Sequence, residues 1–390
     1  MKKLSLPLLA ILLLIVGTII SNVIAFGTDD GYKEFENTEY EDSFWDEDFT
    51  WIDDSDDYDS DDYDWDDYDW DDGSADETEA YDETTEYSEE HTEQTDPITE
   101  DDNYNNFPKD DYLEEYFSIV STDHKALYYQ LNNIEKSIYD LALKCCLNGD
   151  SNFKITDIPY SKAETYINYV DKAYTAFYFD HPEFFWLNSG AFDYNYAYAL
   201  KTITVTPKPY NFWKYSLNKE EYVQDMMYNI TKIVDGAKNL NSDYDKIKYV
   251  HDYLVNNCEY DYAALEKISN ISVDPKVEQA YTSYGAFVTG DCVCDGYSKA
   301  FQIIMNIFDI HCVKVHGYAN GGYHAWNQIE VGGEKYYIDV TWDDPSGLDE
   351  VQYDYFLITT KQLEKTHEVE TKYFEYDYCT STKYMNRSYY

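Results

Sequence analysis

The sequence predicts an α+β fold in which one helix packs on an antiparallel sheet. The helix is indicated by apolar residues that recur at helical spacing behind a cysteine, namely Tyr297, Ala300, Phe301, Ile304 and Phe308. The sheet is indicated by a short strand at 312–318, followed by two β-rich segments on either side of a Gly-Gly pair. A helix followed by a strand and a hairpin is typical of a segregated α+β core.

Residues 1–27 predict a signal peptide or membrane anchor. Two lysines precede an apolar run at 4–20, and Val-Ile-Ala at 23–25 is a suitable cleavage site. The run is slightly long for a signal peptide and slightly short for a membrane span, and its length favours cleavage. We therefore expect an exported protein, secreted or on the cell surface, which contacts a membrane only if this segment stays uncleaved.

Residues 28–111 predict a disordered, acidic tether rich in Tyr and Asp. The segment carries 38 acidic residues and two lysines, so 36 of the chain's 50 net negative charges lie there. Such a segment repels itself and cannot bury a core. The composition favours a solubilising linker over an arm that spans the cell wall or binds cations. A chain this acidic is also a poor partner for nucleic acid, because phosphate contacts need Lys and Arg.

Residues 112–236 predict an accessory α/β region that is mainly helical, ahead of a catalytic domain at 237–390. Its helical spacing is clearest in Leu127, Leu131, Ile134, Ile138 and Leu141. A β-branched run at 201–207 indicates a strand. A second helix is indicated at 243–254, where Ile247, Val250 and Leu254 share one face.

Cys294 falls at the start of the helix that opens the core, or just before it. The first N–H groups of a helix lack partners within it and its dipole is positive at that end, so a thiolate is favoured there. The thiolate is the nucleophilic form of cysteine. Cys294 is therefore a candidate nucleophile, although a lone cysteine is more often a small buried apolar residue.

The Gly-Gly turn places a histidine beside an aspartate. With a two-residue turn between the segments 324–331 and 334–341, His324 pairs with Thr341. Asp339 is two residues from Thr341, so it shares a face with His324 and lies on its diagonal. The hairpin therefore predicts a general base next to a carboxylate that orients it.

Seven cysteines is an odd number for an exported protein, so at least one thiol should be free. Cys292 competes with Cys294 for the reactive role, because a Cys-x-Cys pair can also bind a metal or act in redox chemistry. A zinc site would need a second pair at ligand spacing, and the other cysteines are scattered. We expect no metal and no cofactor, while the pairing of the other six thiols stays open.

Three motifs follow one another in the C-terminal half of the chain. They are Cys-Asp-Gly-Tyr-Ser-Lys-Ala-Phe from Cys294, His-Ala-Trp-Asn from His324, and Tyr-Ile-Asp-Val-Thr-Trp-Asp-Asp-Pro ending at Pro345. Together they resemble the transglutaminase-like superfamily, especially its secreted bacterial members. The resemblance covers 243–345 and extends more faintly upstream to residue 178.

The resemblance implies a papain-like transglutaminase core, with the nucleophile at a helix N-terminus packed on an antiparallel sheet. It implies that Cys294, His324 and Asp339 form a catalytic triad, and it selects Cys294 over Cys292 because Asp-Gly-Tyr follows it. The calcium site of the animal enzymes has no clear counterpart here. Calcium dependence is therefore not expected.

The triad implies acyl transfer through a Cys294 thioester, formed from a Gln carboxamide or a peptide carbonyl. The backbone N–H of Cys294 would meet the oxyanion, and Gln279 and Tyr284 are candidates for the second donor. Trp326 and Trp342 are candidates to wall the cleft, or simply core aromatics.

Three functions remain open. Interception of the thioester by an amine makes a transglutaminase that acts on proteins, whereas interception by water makes a cysteine peptidase or amidase acting on surface proteins or cell-wall peptides. The third is a surface binding module without turnover, which a complete triad argues against. In each case the expected partner is a protein or peptide, with an association to the cell wall.

Overall fold

The computed structural model describes residues 111–120, 123–267, 274–345 and 350–385. All of them fall within one compact unit. The predicted leader (1–27) and nearly all of the predicted tether (28–110) lie outside the described residues. Among the residues that are described, no helix is both long enough and apolar enough to cross a bilayer.

The helices are numbered here in chain order. They are α1 (Asp111–Ile119), α2 (Asn133–Asn148), α3 (Ala163–Asp180), α4 (Asn211–Lys214), α5 (Lys219–Ala237), α6 (Asp243–Asn257), α7 (Tyr262–Lys267), α8 (Pro275–Ala280), α9 (Cys294–Ile307) and α10 (Thr360–Leu363). Shorter helical turns lie at Leu127–Gln130, Tyr160–Lys162, Tyr198–Leu200 and Gly285–Thr289.

The strands form two antiparallel sheets and one short parallel pair. They are β1 (Phe153–Ile155), β2 (Leu187–Ala197), β3 (Thr202–Pro209), β4 (Glu259–Tyr260), β5 (Asp291–Cys292), β6 (Cys312–Ala319), β7 (Gly322–Val331), β8 (Glu334–Ile338) and β9 (His367–Val369). The first sheet has the order β1-β3-β2 and the second β8-β7-β6-β9, while β4 pairs with β5 in parallel. The mixed helix and antiparallel sheet predicted from the sequence is confirmed.

The predicted helix at 127–141 is interrupted. Asn132 accepts hydrogen bonds from the backbone N–H groups of Ile134 and Glu135, and Glu135 accepts one from the N–H of Asn132. This capping box starts α2 at Asn133, so Leu127 belongs to a separate short turn. Ile134, predicted to be apolar and inward, is 38% exposed because it lies in the first turn beyond the cap. The strand predicted at 201–207 is confirmed as β3.

The helix predicted from Tyr297 onwards is α9, and it packs on the faces of β6 and β7. Tyr297, Ala300, Phe301 and Ile304 are all buried, as their spacing predicted. The helix predicted at 243–254 is α6, in which Ile247, Val250 and Leu254 are fully buried.

The predicted hairpin is present with its predicted register, since Val331 pairs with Glu334 and Asn327 with Ile338. Gly332 and Gly333 have φ angles of 60° and 80°, which is the left-handed region required at both central positions of this turn type. The predicted pairing of His324 with Thr341 is wrong, because β8 ends at Ile338.

Strand β8 ends at Ile338 because the side chain of Asp339 accepts hydrogen bonds from backbone N–H groups that a longer strand would use for pairing. Its Oδ1 accepts hydrogen bonds from the N–H of Thr341 at 3.0 Å and of Trp342 at 3.3 Å. A carboxylate that bonds the backbone two and three residues ahead forms a turn in place of a strand. The chain therefore leaves the sheet immediately after Ile338.

One continuous buried cluster joins the accessory region to the region around α9. The cluster includes Phe177 and Trp186 from one side, and Phe301 and Ile304 from the other. A buried hydrogen bond of 2.9 Å from Gln302 Nε2 to the carbonyl of Phe179 links α9 to the end of α3. The division of the chain at residue 236 stays a prediction.

Candidate active site

Cys294 is the first residue of α9, and the preceding residue is extended. Val293 has φ −100° and ψ 178° and gives the first turn no side-chain hydrogen bond. Its own N–H donates to the carbonyl of Ala280 at 3.0 Å, which fixes the approach of the chain to the helix. The N-cap therefore leaves the N–H groups of the first turn without a side-chain acceptor, beside the sulfur.

Exposure separates Cys294 from the other cysteines. All seven lie in the described part of the chain as free thiols, and Cys294 alone is not buried. Cys292 is fully buried, and burial, together with a hydrogen bond to Cys258, raises the pKa of its thiol well above the ordinary value. A substrate can therefore reach Cys294 but not Cys292.

His324 lies in β7 and faces Asp339. Its Nε2 is 2.7 Å from Asp339 Oδ2, and its side chain is 8% exposed. Burial by itself would lower the pKa of His324. The charge of Asp339, then that of Cys294, and hydrogen bonds to both raise it from 6.5 to about 10. The three side chains thus interact directly.

Asp339 is buried and accepts hydrogen bonds on both carboxylate oxygens. Burial would raise its pKa, but the charge and hydrogen bond of His324 and a hydrogen bond from His367 hold that pKa well below the ordinary value. The carboxylate therefore stays charged and favours the protonated form of His324.

The segment that holds these three side chains also matches a known family. Residues 231–341 match the family model of the transglutaminase-like superfamily. The chain carries a transglutaminase-like domain. Cys294, His324 and Asp339 all lie inside the matched range, which runs from within α5 to the start of the turn after β8.

Two solved structures are similar to part of the chain. One is described as a TGase, with 17% sequence identity and a TM-score of 0.30, and the match covers 44% of this chain and 48% of that chain. The other is a candidate cysteine protease from Cytophaga hutchinsonii, with 14% identity and a TM-score of 0.22, covering 36% of this chain and 52% of that one. The chain thus spans about half the length of each. No curated protein sequence matches it.

A second histidine contacts the aspartate of the transglutaminase-like domain, and the sequence did not predict it. His367 lies in β9, beyond the matched range, and its Nε2 is 3.1 Å from Asp339 Oδ2. The ligand-type atoms of His324, Asp339 and His367 lie within 4.8 Å of one another, an arrangement that could hold a metal ion. Both contacts to Asp339 have hydrogen-bond length, which accounts for the arrangement without one. No motif in the sequence marks His367.

Trp326 and Trp342 both pack against the imidazole of His324. The ring of Trp326 is nearly parallel to it, with centroids 5.8 Å apart, and is 1% exposed, so this residue belongs to the core. Trp342 is half-buried, and its ring lies 5.8 Å from that of His324. Of the two tryptophans only Trp342 is partly exposed, and its role as a cleft wall stays a prediction.

The two oxyanion candidates from the sequence are engaged with α5. The hydroxyl of Tyr284 donates to Asp225 Oδ2 at 3.1 Å, and the side chain of Gln279 hydrogen-bonds Tyr222. Both side chains therefore already have hydrogen-bond partners on α5. Their role as the second oxyanion donor stays a prediction.

A different tyrosine lies close to the nucleophile. Tyr281 is 5% exposed, and its hydroxyl has no hydrogen-bond partner among the described residues. Burial and then the charge of Cys294 raise the pKa of this hydroxyl, so the two groups are near enough to interact through their charges. The carbonyl of Tyr281 accepts a buried hydrogen bond of 2.8 Å from Lys299 Nζ in α9, which holds Tyr281 against that helix.

Directly after the nucleophile, Asp295 carries two buried ion pairs. Lys299 Nζ lies 2.5 Å from its Oδ2, and Lys314 of β6 donates to its Oδ1. Burial lowers the pKa of Lys314 to about 8, opposed by the charge of Asp295. Asp295 is the anionic partner of both buried lysines, and its pair with Lys314 links α9 to the sheet.

Proposed function

We propose that the protein is a transglutaminase-like cysteine acyltransferase that acts on a Gln carboxamide or a peptide carbonyl. One observation carries the proposal: the partly exposed thiol of Cys294 begins a helix and interacts with His324, which is hydrogen-bonded to buried Asp339. This is the arrangement of a nucleophile, a base and an orienting carboxylate. A binding module would have no use for all three.

In the first half of the reaction the Cys294 thiolate attacks the carbonyl carbon of the substrate. The tetrahedral intermediate collapses as the protonated imidazole of His324 gives its proton to the departing nitrogen. The C–N bond breaks, ammonia leaves from a Gln carboxamide (or an amine from a peptide), and a thioester remains on Cys294. Asp339 stabilises the positive charge on His324 while it holds the proton.

In the second half, an amine attacks the thioester carbonyl. His324 takes a proton from the attacking nitrogen, the C–S bond breaks, and the Cys294 thiolate and protonated His324 are restored. Water attacking in place of the amine gives a carboxylic acid. A peptidase or amidase therefore uses the same residues, and only the acceptor differs.

We assign the oxyanion to two donors, the backbone N–H of Cys294 and the hydroxyl of Tyr281. Leaving a buried hydroxyl without a partner costs about 1–3 kcal/mol. The substrate oxygen would satisfy this hydroxyl during the reaction, when negative charge develops next to Cys294. This assignment replaces Gln279 and Tyr284, whose side chains are committed to Tyr222 and Asp225.

We further propose that the enzyme acts outside the cytoplasm on proteins or cell-wall peptides. The apolar N-terminal segment with its two leading lysines supports export. The acidic segment that follows supports a spacer between that leader and the transglutaminase-like domain.

The test is mass spectrometry of a glutamine-containing protein incubated with a small primary amine and the full chain, beside its Cys294→Ala variant. Amine incorporation with loss of ammonia, only with the intact thiol, supports transglutamination. Backbone cleavage or deamidation that needs Cys294 assigns a hydrolase. If every product forms equally with the Cys294→Ala variant, the proposed chemistry is wrong.

A further inference from the structure

Two imidazoles contact the buried carboxylate of Asp339, those of His324 and His367. The proposed acyl transfer uses only His324. We infer that His367 is a positioning residue that orients Asp339. By donating to the same carboxylate oxygen, it also weakens the stabilisation that Asp339 gives to protonated His324. The inference deepens the proposed function, because it concerns the same carboxylate. It stands on the hydrogen bonds and packing around His367, which lies outside the region that matches the family.

Asp339 has four donors around two oxygens. Oδ1 accepts from the backbone N–H groups of Thr341 (3.0 Å) and Trp342 (3.3 Å). Oδ2 accepts from His324 at 2.7 Å and from His367 at 3.1 Å. Since the two imidazoles share one oxygen, removing His367 leaves the whole of that oxygen to His324.

The contacts of its two ring nitrogens fix the tautomer of His367. Nδ1 lies 2.8 Å from the hydroxyl oxygen of Thr366, whereas the same hydroxyl is 3.4 Å from the carbonyl of Leu363. A carboxylate oxygen only accepts, so Nε2 of His367 carries a ring hydrogen that points to Asp339. In the neutral ring Nδ1 then accepts the proton of the Thr366 hydroxyl. Tyr355, 3.2 Å from Thr366, completes a hydrogen-bonded chain that runs to the carboxylate.

Packing holds the His367 ring in this orientation. The side chain is buried, and its ring centroid lies 4.5 Å from that of Trp342, 4.9 Å from that of Trp326 and 5.3 Å from that of Tyr355. Its backbone pairs with Ala319 at the edge of the sheet. A ring enclosed in this way cannot turn from Asp339 without disturbing the core.

The effect on His324 follows from charge. Besides Asp339, the titratable groups of the described residues whose charges act on this cluster include Cys294 on α9, Tyr260 on β4, and Asp343 and Tyr355 in the segment after β8. Asp339 is the largest of the influences that raise the pKa of His324. His367 donates to the same carboxylate and so weakens its hold on the proton of His324. His324 therefore releases that proton to the leaving nitrogen more readily.

The experiment measures alkylation of Cys294 by iodoacetate against pH, in the full chain. This anionic reagent reacts faster while His324 is positively charged, so the fall in rate at alkaline pH reports loss of that proton. The proteins are the wild type, His367→Phe, which removes the donor, and His367→Gln, whose amide can donate in its place. Cys294→Ala gives the background from the other six thiols.

We expect the alkaline fall in His367→Phe to move to higher pH by roughly half a unit, and His367→Gln to stay near the wild type. NMR at neutral pH should show two strongly downfield imidazole N–H signals in the wild type and one in His367→Phe. An unchanged alkylation profile in folded His367→Phe would overturn the inference. So would bound metal, found in the wild type and lost in both variants, because His367 would then be a ligand.

If His367→Phe does not fold, Thr366→Val provides the test. It leaves the buried ring in place and removes the hydroxyl on Nδ1, so the shift should have the same direction and be smaller. No shift in that folded variant would equally contradict the inference. Alkylation of Cys294 needs no acyl substrate, so it tests the role of His367 by itself. A failure of the proposed acyl transfer would appear only in the amine incorporation assay.

Discussion

His324 Nε2 lies 2.7 Å from Asp339 Oδ2, although Asp339 is one residue beyond the last paired residue of its strand. The hairpin brings the two residues to the same end of the sheet, and the turn closed by the Asp339 carboxylate aims Oδ2 at the imidazole. The contact therefore depends on a strand that ends early. A strand continuing to Thr341 would have placed Asp339 only on the diagonal of His324.

Replacing Cys294 and Cys292 in turn should show that only Cys294 is needed for activity. Cys294→Ala should lower amine incorporation or hydrolysis by roughly a thousandfold or more, with little change in the free energy of unfolding, because the side chain is partly exposed. Cys292→Ala should keep the activity and lose about 1 kcal/mol of stability, because it leaves a small cavity in a fully buried site. Kinetics and urea denaturation of both variants check this. The reverse pattern would assign the reaction to Cys292.

Removing the charge of Asp339 should slow catalysis while the protein stays folded. In Asp339→Asn the imidazole of His324 loses the carboxylate that orients it and stabilises its charge, so kcat should fall on the order of 10³–10⁴-fold. KM should change much less, because Asp339 is buried and does not reach the substrate. Steady-state kinetics with a near-wild-type circular dichroism spectrum is the measurement. Full activity in the variant would contradict the triad.

The oxyanion assignment distinguishes two tyrosines three residues apart. Tyr281→Phe should lower kcat about a hundredfold, because the phenyl ring keeps the packing and removes only the hydroxyl beside Cys294. Tyr284→Phe is the matched control: it removes a hydrogen bond to Asp225 and should cost about 1 kcal/mol of stability with little effect on kcat. Equal effects on kcat in the two variants would refute the assignment.

The buried carboxylate next to the nucleophile predicts a large loss of stability. Asp295→Asn leaves the ammonium groups of Lys299 and Lys314 buried without their anion, which should cost about 3–5 kcal/mol. Asp193→Asn, which breaks an exposed pair with Lys208, should cost at most about 1 kcal/mol. Urea denaturation of the two variants gives the comparison, and similar losses would show that the buried pairs add nothing.

The pair formed by His324 and Asp339 also predicts how stability depends on pH. The pKa of His324 is raised from 6.5 to about 10, so its contribution is complete below pH 6.5 and is lost as the pH rises toward 10. The pKa of Asp339 is lowered from 3.8, so its contribution is present above that pH and is lost in stronger acid. Asp339→Asn should therefore be most destabilising between about pH 4 and 6.5. Denaturation at pH 5 and pH 9.5 measures this, and a larger effect at the higher pH would reverse the assigned signs.

The sequence by itself determined the elements whose cause is local. Helical spacing behind Cys294 and the Gly-Gly pair predicted α9 and the hairpin with its register, because side-chain periodicity and turn geometry act over a few residues. The motifs around Cys294, His324 and Asp339 likewise pointed to the transglutaminase-like domain that the family match shows. These three residues were candidates before any contact was known.

Only the tertiary structure decided the groups that surround them. Tyr281 approaches Cys294 because Lys299 holds its backbone, whereas Tyr284 turns to Asp225, and nothing in the local sequence distinguishes the two tyrosines. His367 reaches Asp339 from 28 residues away, through a three-residue strand that no periodic pattern reveals. Such contacts depend on how separate elements pack around a common core, and that packing is set by the whole chain rather than by any one segment of it.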